Sequence, residues 1–74
     1  MDIAADEMIT PAEFPELRML VWNRDPARPI SADEVFQIYE RNWRFVDASN
    51  LSEREAALIE RLKQRFGRGV LLAP

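Results

Sequence analysis

The sequence predicts a small all-α domain of three helices, in which a short first helix is followed by an antiparallel helical hairpin. Ser31 with Glu34 and Ser52 with Glu55 each repeat the capping-box spacing of a helix start. Apolar residues at helical spacing follow both starts. A chain of 74 residues forms one domain at most.

The N-terminal part of the chain divides into a tail and a short helix. Residues 1–10 are acidic without a clear apolar period, so we expect a flexible acidic tail ahead of a single helical domain over 11–74. Thr10 begins a helix-start pattern, which Pro15 interrupts because proline removes a backbone donor. The pattern therefore predicts a turn at 11–14 and a fresh helix from about residue 15 to 22.

The rest of the chain predicts two longer helices. The segment 23–30 contains two prolines and is a loop. A second helix is predicted from about 32 to 46, a turn at 47–50 and a third helix from about 53 to 66. Gly67 suits the left-handed residue that often follows a helix end.

The stretch YERNWRFV, residues 39–46, mixes aromatic residues with arginines. On a helical wheel Arg41 and Arg44 lie outside, and the apolar residues form an inner stripe of Val35, Phe36, Ile38, Tyr39, Trp43, Phe45 and Val46. We interpret this interleaving as the period of an amphipathic helix rather than a platform for stacking nucleic-acid bases.

Asn42 interrupts the apolar stripe of the second helix. A buried amide without partners costs on the order of 1–3 kcal/mol, so we predict hydrogen bonds to the 23–30 loop or the first helix. The alternative is that Asn42 is a polar contact point for a partner.

Composition excludes several classes of function. The chain has no cysteine and no histidine, which removes disulfides, thiol nucleophiles and the common zinc sites. The net charge of −3 argues against nucleic acid. The first ten residues do not resemble a signal peptide, and no apolar run is long enough to span a membrane, so we expect a cytoplasmic protein.

No residue pattern indicates catalysis or ligand binding. The hydroxyls of Ser31 and Ser52 have predicted capping roles, and the acids cluster at helix starts where acids are expected. There is no Gly-rich phosphate loop. We therefore predict no enzyme, no cofactor, no metal and no small-molecule ligand.

Three segments resemble a known group of proteins: FPELRMLVWNR (14–24), YERNWRFVD (39–47) and GRGVLL (67–72). They are similar to segments in short, largely uncharacterised bacterial helical proteins, some encoded beside nucleotidyltransferase-type toxins. The resemblance covers about residues 14–72 and implies a small antitoxin-like partner protein. It assigns no site residue.

The first helix indicates where a partner binds. Leu17, Leu20 and Val21 share its core face, which leaves Met19 and Trp22 pointing elsewhere.

Unless the segment 70–72 folds over them, Met19 and Trp22 form an exposed apolar patch. Arg18 and Arg24 would lie at its rim, and Asn42 is a further contact candidate. Such patches mark interfaces with another protein or with a second copy of the chain. The predicted function is thus a non-enzymatic protein-interaction module, an antitoxin-like regulator or adaptor.

The alternative function is a small DNA-binding helix-turn-helix regulator. The third helix is rich in basic residues, but a reading helix contacts bases through its N-terminal residues. Here those residues include Glu53 and Glu55, which would face phosphates.

Overall fold

The structure, a computed structural model, describes residues 3–67 and is mostly helical. Three α-helices occur in this part of the chain: α1 (Pro15–Leu20), α2 (Ala32–Asn42) and α3 (Glu53–Phe66). Short 3₁₀ turns lie at Pro11–Glu13, Trp43–Phe45 and Ala48–Asn50. The same part of the chain also forms two short strands, β1 (Met8–Ile9) and β2 (Ile30–Ser31). The broadly helical prediction is confirmed, whereas the sheet was not predicted.

The two strands bring the N-terminal segment into the domain. Ile9 pairs with Ile30 and Met8 with Ser31 in antiparallel register. Ile3 is buried, and its side chain belongs to the same core as the helices. The segment predicted as an acidic tail is therefore packed from residue 3 onwards, through pairing with a part of the chain that is distant in sequence.

Helix α1 follows the predicted turn and is shorter than predicted. The 3₁₀ turn at Pro11–Glu13 precedes it, and it ends at Leu20 rather than near residue 22. Leu17 and Val21 are buried, as the predicted core face requires. The Val21 N–H donates to the Leu17 carbonyl oxygen and closes the last turn.

Helix α2 begins where predicted and ends at Asn42 rather than near residue 46. Tyr39 and Phe36 lie in the core as predicted. The predicted core position of Phe45 is wrong, because 65% of this residue is exposed. The chain changes to a 3₁₀ turn at Trp43, and a 3₁₀ turn has fewer residues per turn than an α-helix, so the wheel no longer applies beyond Asn42.

The predicted capping box at the start of α2 is wrong. Ser31 makes no capping bond; its hydroxyl donates to Asp33 Oδ1 at 2.7 Å. The Glu34 N–H also donates to Asp33 Oδ1, and the Glu34 carboxylate pairs with Arg24. The Asp33 carboxylate thus accepts the local hydrogen bonds at this helix start, and the two bonds of the predicted capping box do not form.

The predicted cap of α3 is confirmed in part. Ser52 Oγ accepts a hydrogen bond of 3.1 Å from the Glu55 N–H. The second half of the box is absent, since the buried Glu55 side chain points into the domain. Gly67 follows the helix, but its φ of −107° is not left-handed, so that part of the prediction is wrong.

Helix α2 packs against both α1 and α3, so it is the central element of the domain. Both strands and all three α-helices contribute to the core, but none of the three 3₁₀ turns does. Its residues are Ile3, Ile9, Phe14, Leu17, Val21, Ile30, Ala32, Val35, Phe36, Ile38, Tyr39, Leu58, Ile59 and Leu62. Burying these side chains on one side of α1 and α2 leaves the opposite sides in solvent.

Candidate functional site

An open apolar pocket lies where α1 and the end of α2 meet. It has a volume of about 260 Å³ and is lined by Met19, Leu20, Trp22, Asn42 and Phe45. The exposed fraction is 84% for Trp22 and 65% for Met19. We call these five residues the apolar pocket.

Two large apolar residues are exposed at this end of the domain, Met19 in α1 and Trp22 just after the helix. Leu17 and Val21 are turned into the core, so the residues between and after them point outwards from a helix of only six residues. Met19 and Trp22 therefore form one wall of the pocket. The sequence left two alternatives for these residues, an exposed patch or a core position of Trp22 under the C-terminal segment. Both residues are exposed, while the segment 70–72 lies outside the described residues.

The opposite wall comes from the end of α2. Phe45 lies in the 3₁₀ turn that follows the helix and faces solvent. Sequence reasoning missed Phe45 because it extended the helix to residue 46. Asn42 was a usable signal, since asparagine favours helix ends over helix interiors.

Asn42 is half-buried and satisfies a carbonyl of its own helix. Its Nδ2 donates to the Ile38 carbonyl oxygen at 2.8 Å. The predicted bond to the 23–30 loop or to the first helix is therefore wrong. The structure brings Asn42 together with Met19 and Trp22 in the pocket.

The two arginines predicted at the rim are separated. Arg18 is exposed in α1, next to the pocket residue Met19. Arg24 instead donates to Glu34 Oε2 at 2.8 Å and lines another cleft. Arg18 is therefore adjacent in sequence to a pocket residue, whereas Arg24 belongs to the other cleft.

That other cleft lies beside the start of α2 and is open, with a volume of about 500 Å³. Its lining includes the exposed Met8, the cations Arg24 and Arg28, and the acids Asp25 and Glu34. Because Arg24 and Glu34 pair with each other, the cleft presents no concentration of one charge.

The most buried acidic group in the described residues has a structural role. Glu55 Oε1 accepts from the Glu16 N–H at 3.0 Å and Oε2 from the Leu17 N–H at 2.9 Å. These are amides at the start of α1, where helix N–H groups have no partner within the helix. Tyr39 Oη also donates to Glu55 Oε2 at 2.6 Å.

The Tyr39 hydroxyl is held in its neutral form. Burial raises its pKa well above the ordinary value, and the hydrogen bond to the Glu55 carboxylate raises it further. A buried hydroxyl that retains its proton and donates it to a carboxylate is poorly suited to act as a nucleophile or as a base near neutral pH.

The N-terminus of α3 offers little to a DNA duplex. Glu55 is turned into the core, and Glu53 is exposed where a phosphate would approach. Arg54 forms an ion pair with Glu13. Further along α3, Arg61 lies 3.6 Å from the carboxylate of Glu7.

Residues 3–67 contain neither a metal-binding cluster nor a helix that could span a membrane. No cluster of three or more acidic side chains in this part of the chain is arranged to hold a metal ion. Within the same range, no helix has both the length and the apolar character needed to cross a bilayer.

No protein-family model, curated protein or solved structure compared with the chain is similar to it. Function is therefore inferred from the residues of the apolar pocket and their surroundings.

Proposed function

We propose that this protein is a non-enzymatic module that binds another protein through the apolar pocket. The observation that carries the proposal is the 84% exposure of Trp22 at the edge of a pocket that also contains Met19 and Phe45. The resemblance to proteins encoded beside toxins suggests an antitoxin-like regulator or an adaptor.

The composition of the pocket supports binding to a protein. Trp, Met and Phe are enriched in interfaces, and tryptophan is among the residues that contribute most binding energy. Covering apolar surface contributes roughly 25 cal/mol per Å². In the free protein, two aromatic residues and a methionine remain together in water and do not contribute this energy. Such an exposed apolar cluster favours a role in association.

The absence of an enzymatic role is supported by the buried polar groups. Glu55 accepts three hydrogen bonds, two of them from the backbone of α1. Such a carboxylate stabilises the fold, and because Glu55 is completely buried, it is out of reach of a substrate in solution.

A pair of methionine variants tests the proposal. Met19 lies in the apolar pocket, whereas Met8 is exposed to a similar extent, 58%, in β1. We expect Met19→Glu to fold normally and to lose the proteins that the parent captures from an extract of its native cells, identified by mass spectrometry. Met8→Glu should retain them.

Three results would contradict the proposal. In the first, Met19→Glu captures the same proteins and sediments in the same way as the parent. In the second, Met19→Glu and Met8→Glu lose binding to the same extent. Binding to duplex DNA at low salt that disappears as salt rises would instead support the helix-turn-helix alternative.

A further inference from the structure

Three exposed arginines each precede a pocket residue in the sequence. Arg18 precedes Met19 in α1, Arg41 precedes Asn42 at the end of α2, and Arg44 precedes Phe45 in the turn that follows. The guanidinium carbon of Arg44 lies 5.3 Å from the centroid of the Phe45 ring. Within residues 3–67, none of these three arginines forms an ion pair.

Most other basic side chains of the described residues are paired with acids. The pairs are Arg24–Glu34, Arg54–Glu13, Arg61–Glu7 and Lys63–Glu60. Two further arginines without a pair in this range lie elsewhere: Arg28 lines the other cleft, and Arg65 packs over the Phe66 ring. Although the whole chain is acidic, the three arginines that precede pocket residues have no ion pair within residues 3–67, and Arg44 contacts the pocket residue Phe45.

We infer that the occupant of the apolar pocket is an acidic amphipathic segment of another protein. One apolar side chain of that segment enters the pocket between Trp22 and Phe45, and its carboxylates face Arg18, Arg41 and Arg44. Arginine suits this role because its planar fork pairs with carboxylates. This inference rests on the proposed function and specifies the chemistry of its partner.

Charge argues against a second copy of the chain as the occupant. A two-fold interface brings the same patch of both copies together, so the arginines of one copy would approach those of the other. Like charges facing each other across an interface are unfavourable.

Surface area argues in the same direction. The exposed parts of Met19, Trp22 and Phe45 amount to about 400 Å² if a full side chain of this size offers about 150–250 Å². A stable interface buries about 800 Å² on each partner. The pocket therefore suits one short segment better than a stable two-fold dimer.

Single-stranded nucleic acid is the competing class of partner, since exposed aromatic residues beside arginines also stack with bases. Met19 and Leu20 favour a protein segment, because their side chains form an aliphatic floor rather than a flat ring surface.

A selection from a displayed library of random peptides, with the full chain immobilised, tests the inference. We expect enriched peptides to carry a large apolar residue flanked by aspartate or glutamate. A synthetic peptide from this set should bind the double variant Arg41→Glu/Arg44→Glu about tenfold more weakly or worse, and added salt should weaken its binding to the parent. Arg28→Glu is the matched control and should bind like the parent.

The outcomes separate this inference from the proposed function. If selected peptides need Trp22 but are neutral or basic, or bind the arginine variants equally, the inference is overturned and the proposed function stands. Self-association of the parent that Trp22→Ala abolishes would overturn both, because the pocket would then bind a second copy of the chain rather than another protein. Binding of an oligouridylate probe that Trp22→Ala abolishes overturns the inference. A library that yields no peptide dependent on Trp22 or Met19 counts against both.

Discussion

The hydroxyl of Tyr39 donates a 2.6 Å hydrogen bond to Glu55 Oε2, and both residues are completely buried. The same carboxylate accepts the Glu16 and Leu17 amides at the start of α1. A residue of α3 thus caps α1 and holds a residue of α2, so one carboxylate joins all three helices. Glu16 extends the network by accepting the Asp47 N–H at 2.8 Å.

Removal of the Glu55 carboxylate is expected to destabilise the domain severely. Glu55→Ala leaves three buried or half-buried donors without an acceptor, and each such donor costs about 1–3 kcal/mol. Urea denaturation should show a loss of at least about 3 kcal/mol or no folded protein. Glu53→Ala, which removes an exposed acid of the same helix turn, should cost only about 0.5 kcal/mol. Equal losses for the two variants would contradict the assigned role of Glu55.

Alkaline pH is expected to unfold the protein before Tyr39 loses its proton. The folded-state pKa of Tyr39 is raised above its unfolded value, so its contribution to stability is present below about pH 10 and declines as the pH rises further. Tyr39 is the only tyrosine in the chain. Absorbance at 295 nm should therefore increase together with loss of the circular dichroism signal. An increase near pH 10 in a protein that stays folded would show that the hydroxyl is accessible.

The two predicted helix-cap serines are expected to differ. Ser52→Ala removes the acceptor for the Glu55 N–H and should cost about 1 kcal/mol. Ser31→Ala removes only an exposed bond to Asp33 and should change stability by less than about 0.5 kcal/mol. Denaturant midpoints of the two variants measured side by side check this difference, and a larger loss for Ser31→Ala would contradict it.

Replacement of Asn42 by leucine is expected to be tolerated. The Asn42 amide serves only the Ile38 carbonyl within the same helix, and its side chain borders the apolar pocket. Asn42→Leu should therefore change the free energy of unfolding by no more than about 1 kcal/mol. Thermal melts of the variant test this value, and a loss of several kcal/mol would indicate that Asn42 supports a distant part of the fold.

Local patterns in the sequence determined the helices and much of the core. The periodicity of α2 predicted the buried Phe36 and Tyr39, because the spacing of apolar residues along an amphipathic helix defines its buried side without reference to the element packed against it. The position of Met19 and Trp22 off the core face of the first helix could also be predicted, but whether the segment 70–72 covers them could not.

Only the tertiary structure decided which groups far apart in the sequence meet. The spacing from Ser52 to Glu55 predicts a local capping box, in which the Glu55 carboxylate would accept one backbone N–H at the start of α3. In the fold this carboxylate instead accepts three donors, two amides at the start of α1 and the Tyr39 hydroxyl. Pairing of Ile9 with Ile30 likewise depends on the register of distant backbone groups. Phe45 became part of the pocket because the helix ended at Asn42, and the end of a helix reflects packing as well as propensity.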